Sequence, residues 1–165
     1  MKEFIENISL IQWIIGGIIT ALIPFLIFIR KYVILQFRFA NNLRRKIYFL
    51  RLEDSAPLIS ERELISKTKL FNVEKDIYTV SDDPKVLQLM EKHSLFVIGY
   101  DANYSKYKEL IDKAQENNTP IIIYAKQGEI EDSKHWDLFN NYIYCDVANT
   151  SSRLTVIILN TMYIV

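Results

Sequence analysis

Between Ile8 and Ile29 the chain runs for 22 residues, ISLIQWIIGGIITALIPFLIFI, without one charged side chain. Wound as a helix at about 1.5 Å per residue, that run is about 33 Å long, enough to cross a bilayer core roughly 30 Å thick. A lipid-buried backbone has no water to bond, so a lone spanning segment must satisfy its amides internally and be helical. Arg30 and Lys31 follow at once. The sequence therefore predicts an external tail over 1–7, a transmembrane helix over 8–29, a basic juxtamembrane coupling helix over 30–46 and a separate domain over 47–165.

The formal net charge of zero conceals a split. Residues 1–46 hold seven basic and two acidic side chains, a balance of +5, and the remainder holds 13 basic and 18 acidic, a balance of −5. Six of the basic residues lie between Arg30 and Lys46, just past the apolar run. The positive-inside rule then puts the N-terminus outside and the C-terminal domain in the cytoplasm, a single-pass arrangement in the inner (plasma) membrane of a prokaryote. A cleaved leader is the competing expectation. It would carry its charge ahead of the apolar core and a small-residue cleavage site behind it, and this segment shows neither. Juxtamembrane lysines and arginines also draw the chain to anionic lipid, at about 1 kcal/mol each. The acidic domain argues against a DNA or RNA duplex as a direct partner, because phosphate backbones need a basic face.

Within the apolar run, Gln12, Gly16, Thr20 and Pro24 recur every four residues and share a helix face. Gly17 and Ala21 lie beside them as a small-xxx-small pair. Small residues let helices approach closely in lipid. The expected partners of this segment are the bilayer and a second copy of itself, as a dimer or tetramer. A plain anchor has the same composition.

Past residue 46, strand-like and helix-like segments alternate. KIYFLRL (46–52), DIYTV (76–80), SLFVIGY (94–100), PIIIYA (120–125) and YIYCDV (142–147) read as strands. Ser60 and Glu63 read as a capping box for a helix reaching about Thr68. Asp83 and Pro84 read as N-cap and first helical residue of a helix to about His93. Residues 105–118 carry Tyr107, Leu110, Ile111 and Ala114 on one face, and 151–165 read as an apolar helix. Apolar strands separated by helices imply a mainly parallel five-stranded sheet covered on both faces, an α/β domain of Rossmann-like or flavodoxin-like type.

Such sheets bind ligands beyond the carboxyl ends of their strands. That selects the loops Glu53–Ser55, Tyr100–Tyr104, Lys126–Gly128 and Asp146–Arg153. Asn149, Thr150, Ser151, Ser152 and Arg153 open the last helix, where free amides, hydroxyls and a guanidinium suit phosphate; an ordinary N-cap beside a surface arginine explains the same residues. Asp101, Asn103 and Tyr104 suit a sugar or base edge, or simply shape a turn. Lys126 completes the candidate ligand-binding set. Cys145 reads as core, Trp136 as a residue that packs down after a charged loop, and His93 and His135 as lone histidines without metal-ligand spacing. No metal and no cofactor is expected.

KIYFL, followed by FVIGYDANYSKYKELIDKAQENNTPIIIYA, resembles the Toll/interleukin-receptor-like and nucleoside deoxyribosyltransferase-like Rossmannoids. The resemblance implies a glycosidase or transferase acting on NAD or a nucleoside, with Glu109 at the position of the catalytic carboxylate. Glu109 as a plain solvent-facing helix residue is the other reading. The arrangement of a membrane helix before a Rossmann-like domain is also similar to membrane effectors of prokaryotic antiviral systems, including CRISPR-associated Rossmann-fold domains that bind cyclic oligoadenylate. That likeness implies a non-enzymatic effector which senses a nucleotide-type second messenger and rearranges its membrane helices. A scaffold for a protein partner is the third expectation.

Overall fold

The computed structural model describes residues 2–52, 55, 58–80, 84–90 and 94–164. The chain divides between Ala40 and Asn41 into a helical unit and a sheet unit.

Helix α1 covers Lys2–Leu43, 42 residues, about 63 Å at helical rise. It is long and apolar enough to cross a membrane. Large apolar side chains from Ile15 to Phe37 are exposed along it. The Thr20 hydroxyl donates to the Gly16 carbonyl at 2.7 Å, so its proton is used within the helix and only its oxygen is left to accept from a neighbour. Four residues on, Pro24 brings no N–H to the Thr20 carbonyl. A Cβ added at Gly16 or Gly17 meets nothing within 4 Å.

The helix expected to reach residue 46 stops at Leu43. Arg44 and Arg45 donate their amides to Asn41 and Asn42 carbonyls, three residues back, which tightens the last turn. The buried Asn42 amide then donates to the Met162 carbonyl at 2.9 Å, and the chain enters the sheet at Lys46.

Five parallel strands follow: β1 (Lys46–Arg51), β2 (Asn72–Thr79), β3 (Leu95–Gly99), β4 (Ile121–Tyr124) and β5 (Cys145–Ala148), in the order β2-β1-β3-β4-β5. This is the strand order of flavodoxin-like doubly wound sheets, and it establishes the expected α/β class. The connecting helices are α2 (Ile59–Lys67), α3 (Pro84–Met90), α4 (Tyr107–Glu116), α5 (Ser133–Asn140) and α6 (Ser151–Ile164). Side chains alternate across each strand. Tyr48, Leu50, Phe96, Ile98, Ile121 and Ile123 point to one face and pack with α3, α4 and α5. Ile47, Phe49, Leu95, Val97 and Ile122 are fully buried on the other, the side of α2 and α6. β1 and β3 bury every residue from Ile47 to Leu50 and from Leu95 to Gly99, which is why they read as unbroken apolar runs.

Several local expectations change. β5 begins at Cys145, not Tyr142. Tyr142 is buried ahead of the strand, and its hydroxyl bridges the Ala114 and Thr119 carbonyls at 3.1 and 2.9 Å, so its apolar ring locks the end of α4 to the sheet. Burial pushes that phenol up to about 12. β2 starts four residues earlier than expected, at Asn72. Ser60 lies inside α2 and bonds Glu61, not an N-cap partner; Leu58 holds the cap position without a side-chain bond. Residues 133–140 form a helix that was not expected, its first turn taken from the end of the charged stretch 128–135; it is started by Asp132, whose carboxylate accepts the Lys134 amide at 2.8 Å. The expectations for Glu53, Asp54, Asp83 and His93 lie outside the described residues.

Candidate functional site

In an open parallel sheet the crevice is expected where strand order reverses, here between β1 and β3. Among the described residues the end of β3 is packed with aromatic rings. Tyr100, at the end of β3, is only 3 % exposed. It stacks on Tyr107 at 5.8 Å and meets the Phe139 ring edge-on at 6.4 Å. Its hydroxyl is 2.9 Å from His135 Nδ1. Burial raises the Tyr100 phenol above its ordinary value and raises that of Tyr107 further. The space left beside Tyr100, lined also by Leu58, Gly99, Tyr124, Lys126 and Glu129, is about 20 Å³.

Two strands away the sheet opens into a cleft of about 350 Å³. It straddles the edge strand β5. On the α5 side lie Trp136 and Asn140, one helical turn apart, with Cys145 and Val147, whose register partners Ile121 and Ile123 belong to that face. Trp136 Nε1–H donates to the Ile130 carbonyl at 3.1 Å, which fixes the ring while leaving it 40 % exposed. The Cys145 thiol is pushed up to about 12 by burial, with Asp146 adding repulsion, so it is a neutral wall at physiological pH.

The other side is polar. Asp146 points to the opposite face of β5, with Asn149 and Arg153 at the start of α6. Lys126, Gln127 and Gly128 form the rim after β4. The rim is a turn closed by Glu129 N–H to the Lys126 carbonyl at 3.1 Å. Gly128, in its third position, has φ +78°, the left-handed backbone that a type II turn requires there. Among the described residues no carboxylate forms an ion pair with Lys126 or Arg153, and Asp146 lines the same cleft.

Of the residues singled out from the sequence, Lys126, Asn149 and Arg153 meet in this cleft. Thr150 caps α6, its hydroxyl accepting the Arg153 amide at 3.2 Å. Ser151 turns toward Tyr124, whose hydroxyl also donates to Glu61 at 3.0 Å. Ser152 is exposed on α6 and does not line the cleft. Asp101 is buried and accepts the Asn103 amide at 2.9 Å; Asn103 is exposed, and Tyr104 packs edge-on against Tyr107 at 5.1 Å. These three shape the turn after β3 and do not line the cleft. Glu109 is exposed in the first turn of α4, also outside the cleft lining. On α1, Gln12, Gly16, Gly17, Thr20 and Ala21 line one shallow groove together with Trp13.

Of the other lining residues, Asp146 lies in a loop selected from the sequence, Trp136 was read as packing down, and Asn140 was not singled out. The helix that carries Trp136 and Asn140 was not recognised, although Asp132 is a helix-starting residue and Leu138 and Phe139 supply apolar positions after it. The sequence matches no family model, and no curated protein shows significant similarity to it.

Proposed function

We propose that this protein is a membrane-anchored effector whose sheet domain senses a nucleotide-type second messenger, with a cyclic oligonucleotide as the leading ligand. In this reading α1 spans the inner membrane with the sheet domain in the cytoplasm. The observation that carries it is the meeting of Lys126, Asn149 and Arg153, from two separate loops, in one cleft at the carboxyl ends of β4 and β5. A guanidinium and an ammonium group near the opening of a helix are phosphate chemistry. The cleft volume lies at the small end of ligand sites, roughly 300–1,000 Å³, the scale of one nucleotide unit. A ring of several nucleotides therefore engages clefts of more than one copy, and the ligand drives self-association. Association of the sheet domains draws the membrane helices together along the Gly16–Thr20 groove, which changes membrane integrity or potential. The ligand must favour the associated state by differential affinity for this to work. Antiviral defence is the setting in which such an effector acts.

The test is a thermal-shift series on the full chain in lipid nanodiscs, against cyclic di-, tri-, tetra- and hexanucleotides, NAD and ADP-ribose. Ligand at 100 times its dissociation constant stabilises by about 2.7 kcal/mol, a rise of several degrees. A shift with a cyclic nucleotide, lost in Lys126→Ala and Arg153→Ala, supports the reading. A shift with NAD alone, lost in Glu109→Gln, replaces it with the enzyme, and no shift replaces it with the protein scaffold.

A further inference from the structure

β5 is the last strand of the sheet, so one side of its backbone has no strand to bond. Two bonds set the phase of its ladder: Ile121 N–H donates to the Tyr144 carbonyl at 2.9 Å, and Ala125 N–H donates to the Ala148 carbonyl at 3.0 Å. Backbone groups alternate sides along a strand. Tyr144, Asp146 and Ala148 therefore present theirs to β4, while Cys145 and Val147, both of which line the cleft, present theirs to the open edge. The Cys145 N–H is already used, donating to the Tyr142 carbonyl at 2.9 Å. What faces outward is the Cys145 carbonyl and, two residues on, the Val147 N–H: one acceptor beside one donor on an extended edge.

That pair complements the edge of a nucleobase, which carries a donor and an acceptor on neighbouring atoms (the amino group and ring nitrogen of adenine, for example). On the same side of the cleft stands the half-exposed Trp136 ring, held by its own N–H bond to Ile130. An indole fixed in this way is a stacking surface, because every base has a π-face to offer it. The cleft is thus divided by the strand itself, with Trp136 and the Cys145 and Val147 side chains toward α5, the open backbone edge of β5 in the plane of the sheet beside them, and Lys126 and Arg153 toward the rim and α6.

The geometry points to a nucleobase bound in the α5 half of this cleft, stacked on Trp136 with its hydrogen-bonding edge against the open backbone of Cys145 and Val147. This rests on the reading of the cleft as a nucleotide site and adds to it which part of the ligand lies where. The Asn140 amide, one donor and one acceptor on a rotatable side chain, suits either orientation of a base, so purine identity is read weakly.

The test is equilibrium binding of three probes to the full chain in nanodiscs: AMP, N6,N6-dimethyl-AMP and ribose 5-phosphate. AMP binds at least tenfold more tightly than ribose 5-phosphate, and dimethylation, which removes the amino donor but keeps the ring, weakens it severalfold. Trp136→Ala brings AMP down to the ribose 5-phosphate level, and Trp136→Phe retains most of the affinity. Arg153→Ala weakens AMP and ribose 5-phosphate alike. Equal binding of AMP and ribose 5-phosphate, both dependent on Arg153, overturns the base site and leaves the phosphate reading standing. AMP binding indifferent to dimethylation or to Trp136 also overturns it, and the dimethyl probe decides even if a Trp136 variant misfolds. Binding of none of the three at millimolar concentration overturns both the base site and the nucleotide reading.

Discussion

The two edges of this sheet are built differently, and the difference explains where the cleft lies. At the β2 edge the register breaks: Ile47 pairs Val73, yet Phe49 pairs Ile77, so Glu74, Lys75 and Asp76 stand opposite Tyr48 alone. A bulge of three charged residues twists and charges an edge strand, which discourages anything from pairing with it. Glu74 is tied down further by Lys46 at 2.7 Å. The β5 edge has regular pairing over its four residues and one charged side chain, Asp146. It is flanked by a half-exposed tryptophan and by the start of α6. One edge is protected against partners; the other carries a cleft fitted with donors, acceptors and cations.

The comparison breaks most severely if α5 is undermined. Phe139 is 1 % exposed, meets the Tyr107 ring edge-on at 5.3 Å, and holds α5 onto the sheet. Phe139→Ala is expected to cost about 3–5 kcal/mol in chemical denaturation, and with α5 loosened the cleft should lose its Trp136 wall. Tyr142→Phe comes next. It strips the hydroxyl from the Ala114 and Thr119 carbonyls; the Ala114 carbonyl keeps the Thr119 amide, and the lost bond to the Thr119 carbonyl costs about 1–3 kcal/mol. Thr150→Ala removes the cap of α6 that positions Arg153, with an expected loss of about 1 kcal/mol by thermal melting. Thr150→Ser should restore it.

The smallest effect belongs to the protected edge. The Lys46 ammonium, by its hydrogen bond, holds the Glu74 carboxyl below the usual carboxylate range. Its contribution to stability is therefore present at neutral pH and is lost as pH falls through that depressed value. The bonded carboxylate holds the Lys46 ammonium above the usual lysine range, so its contribution is lost only as pH rises beyond it. Melting temperature followed from neutral to acid pH should fall slightly less in Glu74→Gln than in the parent chain. The pair is solvent-exposed, so the difference should shrink further in high salt.

The fold was legible in the sequence wherever local pattern and tertiary demand agreed. β1, β3 and β4 are buried on both faces, so their apolar runs mark them almost to the residue. The amphipathic face of α4 and the apolar length of α6 follow in the same way. The pattern was least reliable at the edges of the sheet, where burial is partial. β2 was read too short because its first residues are charged and bulged. β5 was read too long because Tyr142 is apolar for a reason other than strand pairing. α5 was missed because its polar positions, including the one facing the cleft at Asn140, masked the spacing of its buried residues.

For the site, the sequence by itself determined the chemistry available: basic residues and helix-opening hydroxyls in loops, at the strand ends where a parallel sheet places them, and an uncharged helix long enough to span a bilayer. It did not determine which loops meet. That was decided by strand order, which sets the loops after β4 and β5 side by side, and by the aromatic packing of Tyr100, Tyr107 and Phe139, which fills the space beside β3. Which backbone groups are left open was also a tertiary outcome. Every residue carries the same amide and carbonyl, and only a strand's position in the sheet determines whether a neighbour takes them up.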